Sequence, residues 1–152
     1  MFFSKSFGYS IRAILYLASD CPGKKWVQLN EIAEFLQIPQ PFLGKLMINL
    51  VKEGVLDSRK GPAGGFCINN DTMGMTLSRI LAITGEQIGL DTCVLRLREC
   101  NSANPCPLHF KARQFRDNWV VFLSSTTLGD LTGKENEGLV KHLYHPEDEI
   151  NG

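Results

Sequence analysis

The chain has 152 residues, close to the usual size of one domain, and its 43% apolar and 21% charged residues are the balance of a soluble globular fold. That excludes a fibrous or low-complexity chain, and no stretch is long and apolar enough to span a bilayer. Sixteen Lys and Arg against sixteen Asp and Glu sum to zero and by themselves argue against a nucleic-acid binder, but residues 1–70 carry eight cations against five acids (+3) and residues 71–152 eight against eleven (−3).

The first predicted helix covers about residues 7–19, with Ile11, Ile14, Leu15 and Ala18 at the i, i+3, i+4, i+7 spacing of one buried face. Arg12 inside it, and the lack of a basic leader, set it apart from an export signal. Cys21-Pro22-Gly23 ends it, and a short second helix repeats the spacing with Leu29, Ile32, Ala33 and Leu36. After a break at Gln37-Ile38-Pro39, a third opens near Pro41, buries Leu43, Leu46, Met47 and Leu50, and closes at Gly54. Two short amphipathic helices joined by a tight break have the form of a helix-turn-helix. Two short strands, expected at residues 55–58 and 66–69, flank the turn-rich segment Arg59-Lys60-Gly61-Pro62-Ala63-Gly64-Gly65 and add a wing with a basic tip.

Thr76 is placed to cap a fourth helix with Leu77, Ile80, Leu81 and Thr84 on one face. A long fifth helix is expected over about residues 108–125, where Leu108, Ala112, Phe115, Trp119 and Phe122 form a heptad-like seam. From Gly133 the chain is polar and acidic and reads as a disordered tail. The expected fold is mainly α with a small β wing. Residues 1–84 form a winged helix-turn-helix, residues 85–132 a cysteine loop and dimerisation helix in the same compact domain, and residues 133–152 the tail.

On the third helix Lys45, Asn49 and Lys52 recur opposite the apolar face, with Gln40 at the start. Gln and Asn pair with adenine and Lys with guanine or phosphate, while Arg59 and Lys60 at the wing tip suit a minor groove or phosphates. Taken alone, such polar faces and turn cations are most often just solvated. The surrounding helix-turn-helix and wing make double-stranded DNA the expected partner. A two-fold dimer through the aromatic seam would set two recognition helices on successive turns of a palindromic site.

Cys93, Cys100 and Cys106 are separated by six and five residues, and His109 follows three positions later. Three thiols and an imidazole suit a tetrahedral zinc or an iron–sulfur cluster with one non-cysteine ligand. The spacing matches neither a zinc knuckle nor a ferredoxin run, and it leaves redox thiols and plain packing open. Cys21 and Cys67 are isolated and read as structural, and His142 and His145 as solvated. Five cysteines, an odd number without an export signal, argue against a disulfide framework and make the cytoplasm the expected location. Nothing in the chain has the form of paired catalytic carboxylates, a nucleophile elbow or a phosphate loop, so neither an enzyme nor a small-molecule substrate is expected.

The order Tyr9…Arg12-Ala13…Leu15-Tyr16-Leu17-Ala18, the wing run from Ser58 to Phe66, and the block Cys93…Cys100…Cys106-Pro107-Leu108-His109 resemble the Rrf2 family of bacterial transcription factors. So does Thr126-Thr127-Leu128-Gly129-Asp130-Leu131, and the resemblance covers residues 1–132. It implies a homodimeric winged-helix DNA binder, expected to be a repressor, under the control of an iron–sulfur cluster that responds to nitric oxide, iron or redox status. Its ligands would fall on Cys93, Cys100 and Cys106. Some cluster-binding members use a histidine three positions after the third cysteine, where His109 stands. Others use a carboxylate from the partner's first helix, where Gly8 stands here with no acid adjacent. The resemblance therefore favours a 2Fe–2S over a 4Fe–4S cluster. Two departures mark this chain: the first inter-cysteine gap is one residue longer than the family's usual one, and Gly44 replaces a glutamate that helps some members discriminate sites. The alternatives are a cluster-free member sensing by thiol oxidation or a protein partner, and a zinc protein with three cysteine ligands and one histidine.

Overall fold

The computed structural model describes residues 3–19, 25–86, 93–97 and 101–132. Its elements run α1 (Lys5–Ala18), α2 (Leu29–Leu36), α3 (Gln40–Lys52), β1 (Leu56–Arg59), β2 (Gly65–Ile68), α4 (Leu77–Ile83) and α5 (His109–Ser125), with 3₁₀ turns at Thr72–Gly74 and Gly129–Leu131. The fold is a winged helix-turn-helix followed by a long helix. Cys21, Cys100, His142, His145 and the tail at 133–152 lie outside the described residues.

Helix α1 begins two residues before the apolar spacing suggests, because Ser4 caps it and its Oγ accepts from the Phe7 N–H. It buries Phe7, Ala13, Ile14, Leu15 and Tyr16 and packs against α2, α3, α4 and β2. Helix α2 ends at Gln37, which adopts the left-handed conformation at φ 55°. The Arg12 guanidinium donates to the Leu36 carbonyl at 2.9 Å, so a cation satisfies an orphan acceptor at the negative end of α2. Helix α3 buries Leu43, Met47 and Leu50, while Leu46 is half-buried. Gly44 faces α2, where a Cβ would stand 3.2 Å from Leu29 Cδ2, so the missing side chain permits the close approach of the two helices.

The wing strands pair antiparallel from Leu56↔Ile68 to Arg59↔Gly65. β1 begins one residue later than expected and β2 ends one residue earlier. Val55 is claimed by α3, its N–H donating to the Leu50 carbonyl at 2.9 Å. Asn69 is claimed by the following turn, its N–H donating to Thr72 Oγ1 at 2.9 Å, and the buried Thr72 hydroxyl donates to the Val55 carbonyl at 2.6 Å. A bridge from Val27 to Phe66 adds a short third strand position.

Thr76 caps α4 as its sequence suggests, accepting from the Arg79 N–H. Beyond α5 the chain returns antiparallel to this cap: Leu77 N–H donates to Thr126 and Leu128 N–H to Met75, both at 2.9 Å. This clamp buries Leu128 and fixes the C-terminal end of α5 on α4. Among the described residues no helix is long and apolar enough to cross a membrane.

Candidate nucleic-acid interface and cysteine loop

The outward face of α3 carries exposed Lys45 and Lys52, with exposed Gln40 as its first residue. Asn49 lies on the same side but is half-buried, and its Nδ2 donates to the Ile83 carbonyl of α4 at 2.9 Å. Its amide is thus engaged within the fold, unlike the two lysines. Ile48, 66% exposed, shares this face and escapes a search for polar residues.

At the wing tip Arg59 and Lys60 are both exposed. The turn that presents them closes with Gly64 N–H donating to Gly61 at 3.0 Å. A Cβ on Gly64 would stand 2.0 Å from the Arg59 carbonyl oxygen, so only glycine closes this turn. Gln28 Nε2 donates to the Pro62 carbonyl and ties the tip to the start of α2. The wing tip is therefore held at a fixed place against the start of α2, the helix that α3 packs on.

In the second half, Cys93 is buried and Cys106 half-buried, and the Cys106 side chain is near enough to Cys93 to act on its thiol. The N–H groups of Leu97 and Leu95 hold that thiol below its ordinary pKa, aided by Cys106 and the charge of Arg116 and opposed by burial. Cys106 is joined to α5 directly, its carbonyl accepting from the His109 N–H at 2.9 Å. The His109 ring is buried and meets Phe110 edge-on at 5.3 Å. The structure thus gathers Cys93 and Cys106 at the foot of α5, where His109 begins the helix. Among the described residues no three His, Cys, Asp or Glu side chains converge as a metal ion would need. Cys67 is of another kind: buried in β2, its thiol is pushed up by burial and by Asp57, which disfavours the nucleophilic thiolate.

Along α5, Leu108, Phe115 and Phe122 are exposed and Ala112 and Trp119 half-buried. Trp119 meets Phe115 at 6.1 Å, Phe122 at 5.4 Å and Phe3 at 5.4 Å, each edge-on. Phe115, Asn118, Trp119 and Phe122 line an open, mostly apolar depression.

A helix-turn-helix with outward lysines, a cationic wing and a long trailing helix define a winged-helix DNA-binding protein. More narrowly, the chain belongs to the Rrf2 family of transcriptional regulators: the Rrf2 family model, described as an iron-dependent transcriptional regulator, matches residues 3–134. An HTH-type transcriptional regulator of Aquifex aeolicus (strain VF5) is 34% identical over 146 residues, covering 95% of this chain and 97% of that one. The HTH-type transcriptional regulator IscR of Escherichia coli O1:K1 / APEC is 26% identical over 140 residues, covering 92% and 85%. Among solved structures, CymR (YrzC), the global cysteine regulator of B. subtilis, superposes with a TM-score of 0.69 at 23% identity, covering 87% and 96%. T. potens IscR does so with a TM-score of 0.64 at 19% identity, covering 99% and 96%. The family and these relatives are regulators of transcription and not enzymes.

Proposed function

We propose that the chain is a cytoplasmic, homodimeric repressor whose binding to a palindromic operator is set by an iron–sulfur cluster in the cysteine loop. The observation that carries this reading is the position of the Cys93–Cys106 thiol pair at the foot of α5, the helix whose aromatic seam is left exposed. Leu108, Ala112, Phe115, Trp119 and Phe122 supply the contact between two copies, since a continuous apolar face of this kind is rarely left in water. The two α3 helices then enter the major groove one turn, about 34–36 Å, apart. Gln40 and Lys45 face base edges, Lys52 and Arg59 hold phosphates, and Lys60 extends the wing toward the minor groove.

The donor chemistry fits a cluster: two neighbouring thiols and a buried imidazole at the start of α5, with Cys100 as the third thiol. Soft thiolates with one imidazole suit a 2Fe–2S centre, a 4Fe–4S centre being the variant if His109 is not a ligand. The IscR relatives and the family's description as iron-dependent support this assignment. When bound, such a cluster supplies a labile centre that nitric oxide, oxidants or iron shortage modify or remove. The protein's own part is mechanical. Cys106 and His109 share a backbone hydrogen bond, so freeing the thiols loosens the foot of α5 and with it the separation of the two α3 helices. A bias of about 1–3 kcal/mol between the two arrangements changes operator affinity roughly 5–150-fold.

Anaerobic reconstitution with iron and sulfide is expected to give visible sulfide-to-iron absorption in the wild-type protein and none in Cys106→Ala. A colourless protein that binds one zinc instead overturns the cluster. The proximity of Cys93 and Cys106 favours a second reading, thiol oxidation. There hydrogen peroxide accepts two electrons and two protons from the two thiols and leaves as two molecules of water while the disulfide forms. A Cys93–Cys106 cross-linked peptide after peroxide treatment, in protein free of iron, selects that reading.

A further inference from the structure

Pro41, Lys45, Ile48 and Lys52 follow one another at steps of four, three and four residues, which places them in one stripe along α3. All four are exposed, and Leu43, Met47 and Leu50 fill the core from the opposite side. Ile48 is anomalous there. It is 66% exposed and is not among the apolar side chains packed against the core. A β-branched residue also lowers helix propensity relative to the Lys or Gln that the position would accept. Phe42, the other exposed apolar residue of α3, is accounted for, since its ring meets Tyr9 of α1 edge-on at 5.8 Å. Neither packing nor propensity explains Ile48.

The major groove offers an apolar partner at one position only, the C5-methyl group of thymine. We propose that Ile48 is a specificity-determining residue that packs against a thymine C5-methyl in each operator half-site. Lys45 one turn before it and Lys52 one turn after it are the charges that hold the stripe in the groove. The assignment rests on α3 being the helix that enters the major groove. Its chemistry differs from that of its neighbours. The lysines supply affinity that falls with salt, whereas burying a methyl against Ile48 supplies discrimination that salt leaves largely intact.

The test replaces thymine by uracil, which removes only the methyl. Duplexes are selected from a random pool with the wild-type protein, and the selected duplex is resynthesised with dU for dT at one position at a time. At one thymine of each half-site, dU is expected to weaken wild-type binding about fourfold. Ile48→Ala, which removes the contact from both half-sites, should bind the dT duplex about 16-fold weaker and show no response to dU at that position, and Ile48→Val should keep part of the response. Because the side chain is exposed, both variants should melt as the wild type does. Wild-type binding indifferent to dU at every thymine, or an Ile48→Ala protein that keeps the full dU response, overturns the assignment. Lys45→Ala and Lys52→Ala separate the two levels. If they weaken binding while dU has no effect, the Ile48 assignment alone falls. If they too leave binding unchanged, or if no duplex is enriched, the major-groove role of α3 falls with it.

Discussion

The head built from α1, α2, α3 and the wing and the segment built on α5 treat their apolar side chains in opposite ways. In the head Ile14, Ile32, Leu36, Leu43, Met47 and Leu50 are fully buried, and two wing glycines are fixed by backbone atoms 2.0–2.2 Å from where a Cβ would stand. Helix α5 buries only His109 and Leu123 and leaves Leu108, Phe110, Phe115, Val120, Val121 and Phe122 exposed. The first region is finished within one chain, and its outward side is left to Lys45, Lys52, Arg59 and Lys60. The second leaves its apolar face uncovered, as the proposed dimer would require. Reading DNA requires a rigid surface, whereas the proposed assembly and sensing would require one with two arrangements, and the division of apolar residues would keep these demands apart.

The largest expected effect comes from breaking the unfinished half. Phe122→Asp puts a charge at the C-terminal end of the seam, where the wild-type ring meets only Trp119 among the aromatic contacts described. Sedimentation should show monomers, and operator binding should weaken by about 10²–10⁴, the advantage lost when the second half-site is no longer tethered. The melting of the head should change little. Dimers that persist at wild-type concentrations would move the interface off α5.

The converse experiment breaks the finished half. Gly65 stands at φ +131°, and a Cβ there would lie 2.2 Å from the Val27 carbonyl oxygen. Gly65→Ala is expected to cost at least about 2–3 kcal/mol in thermal unfolding and to displace the wing, while the dimer persists. Gly61→Ala is the matched control, since its φ is +100° but its Cβ would meet open space. It should cost about 1 kcal/mol, the backbone penalty alone. Equal melting of the two variants would show that the wing is not anchored on Val27.

The same division explains what could be read from the sequence. The core helices announce themselves because apolar residues recur on one face, and Thr76 is legible as a cap because its partner is three residues away. Element ends shift where the deciding partner is distant, as when the Thr72 hydroxyl claims the Val55 carbonyl across 17 positions. The α5 seam is visible as a pattern, but spacing cannot say whether it packs inward or against a second copy. Leu123, one position beyond the seam's last member, is the residue the fold buries. Nor does spacing tell that Cys93 comes near Cys106, because the sequence between them carries no periodic pattern from which an approach could be read.

Asn49 shows the limit most clearly, and it yields a smaller prediction. In the sequence it is indistinguishable from Lys45 and Lys52, yet its amide bonds the Ile83 carbonyl 34 residues away and ties the recognition helix to α4. Asn49→Ala should cost about 1 kcal/mol, the value of one such hydrogen bond, with operator affinity falling in step as α3 loosens. Asn49→Asp, which keeps the shape but loses the donor, should do the same. An Asn49→Ala protein with unchanged melting and relaxed preference at one adenine would make Asn49 a base reader and leave α3 held by its apolar face alone.

The smallest expected effect lies at the same junction. Arg79 Nη2 meets Glu53 Oε2 at 3.1 Å, joining α4 to the end of α3, but the two side chains are 50% and 37% exposed. Water competes for both charges, so Arg79→Ala should change stability by no more than about 0.5 kcal/mol, less at higher salt. Operator binding is the more sensitive readout. Glu53 directly follows Lys52, and removing its cation leaves a carboxylate uncompensated beside a proposed phosphate contact. Affinity should therefore fall slightly in Arg79→Ala, and Glu53→Gln in the same background should restore it. A stability loss well above about 1 kcal/mol would mean that this pair is shielded from water in the proposed dimer. The boundary between the closed head and the unfinished interface would then lie beyond α4 and not before it.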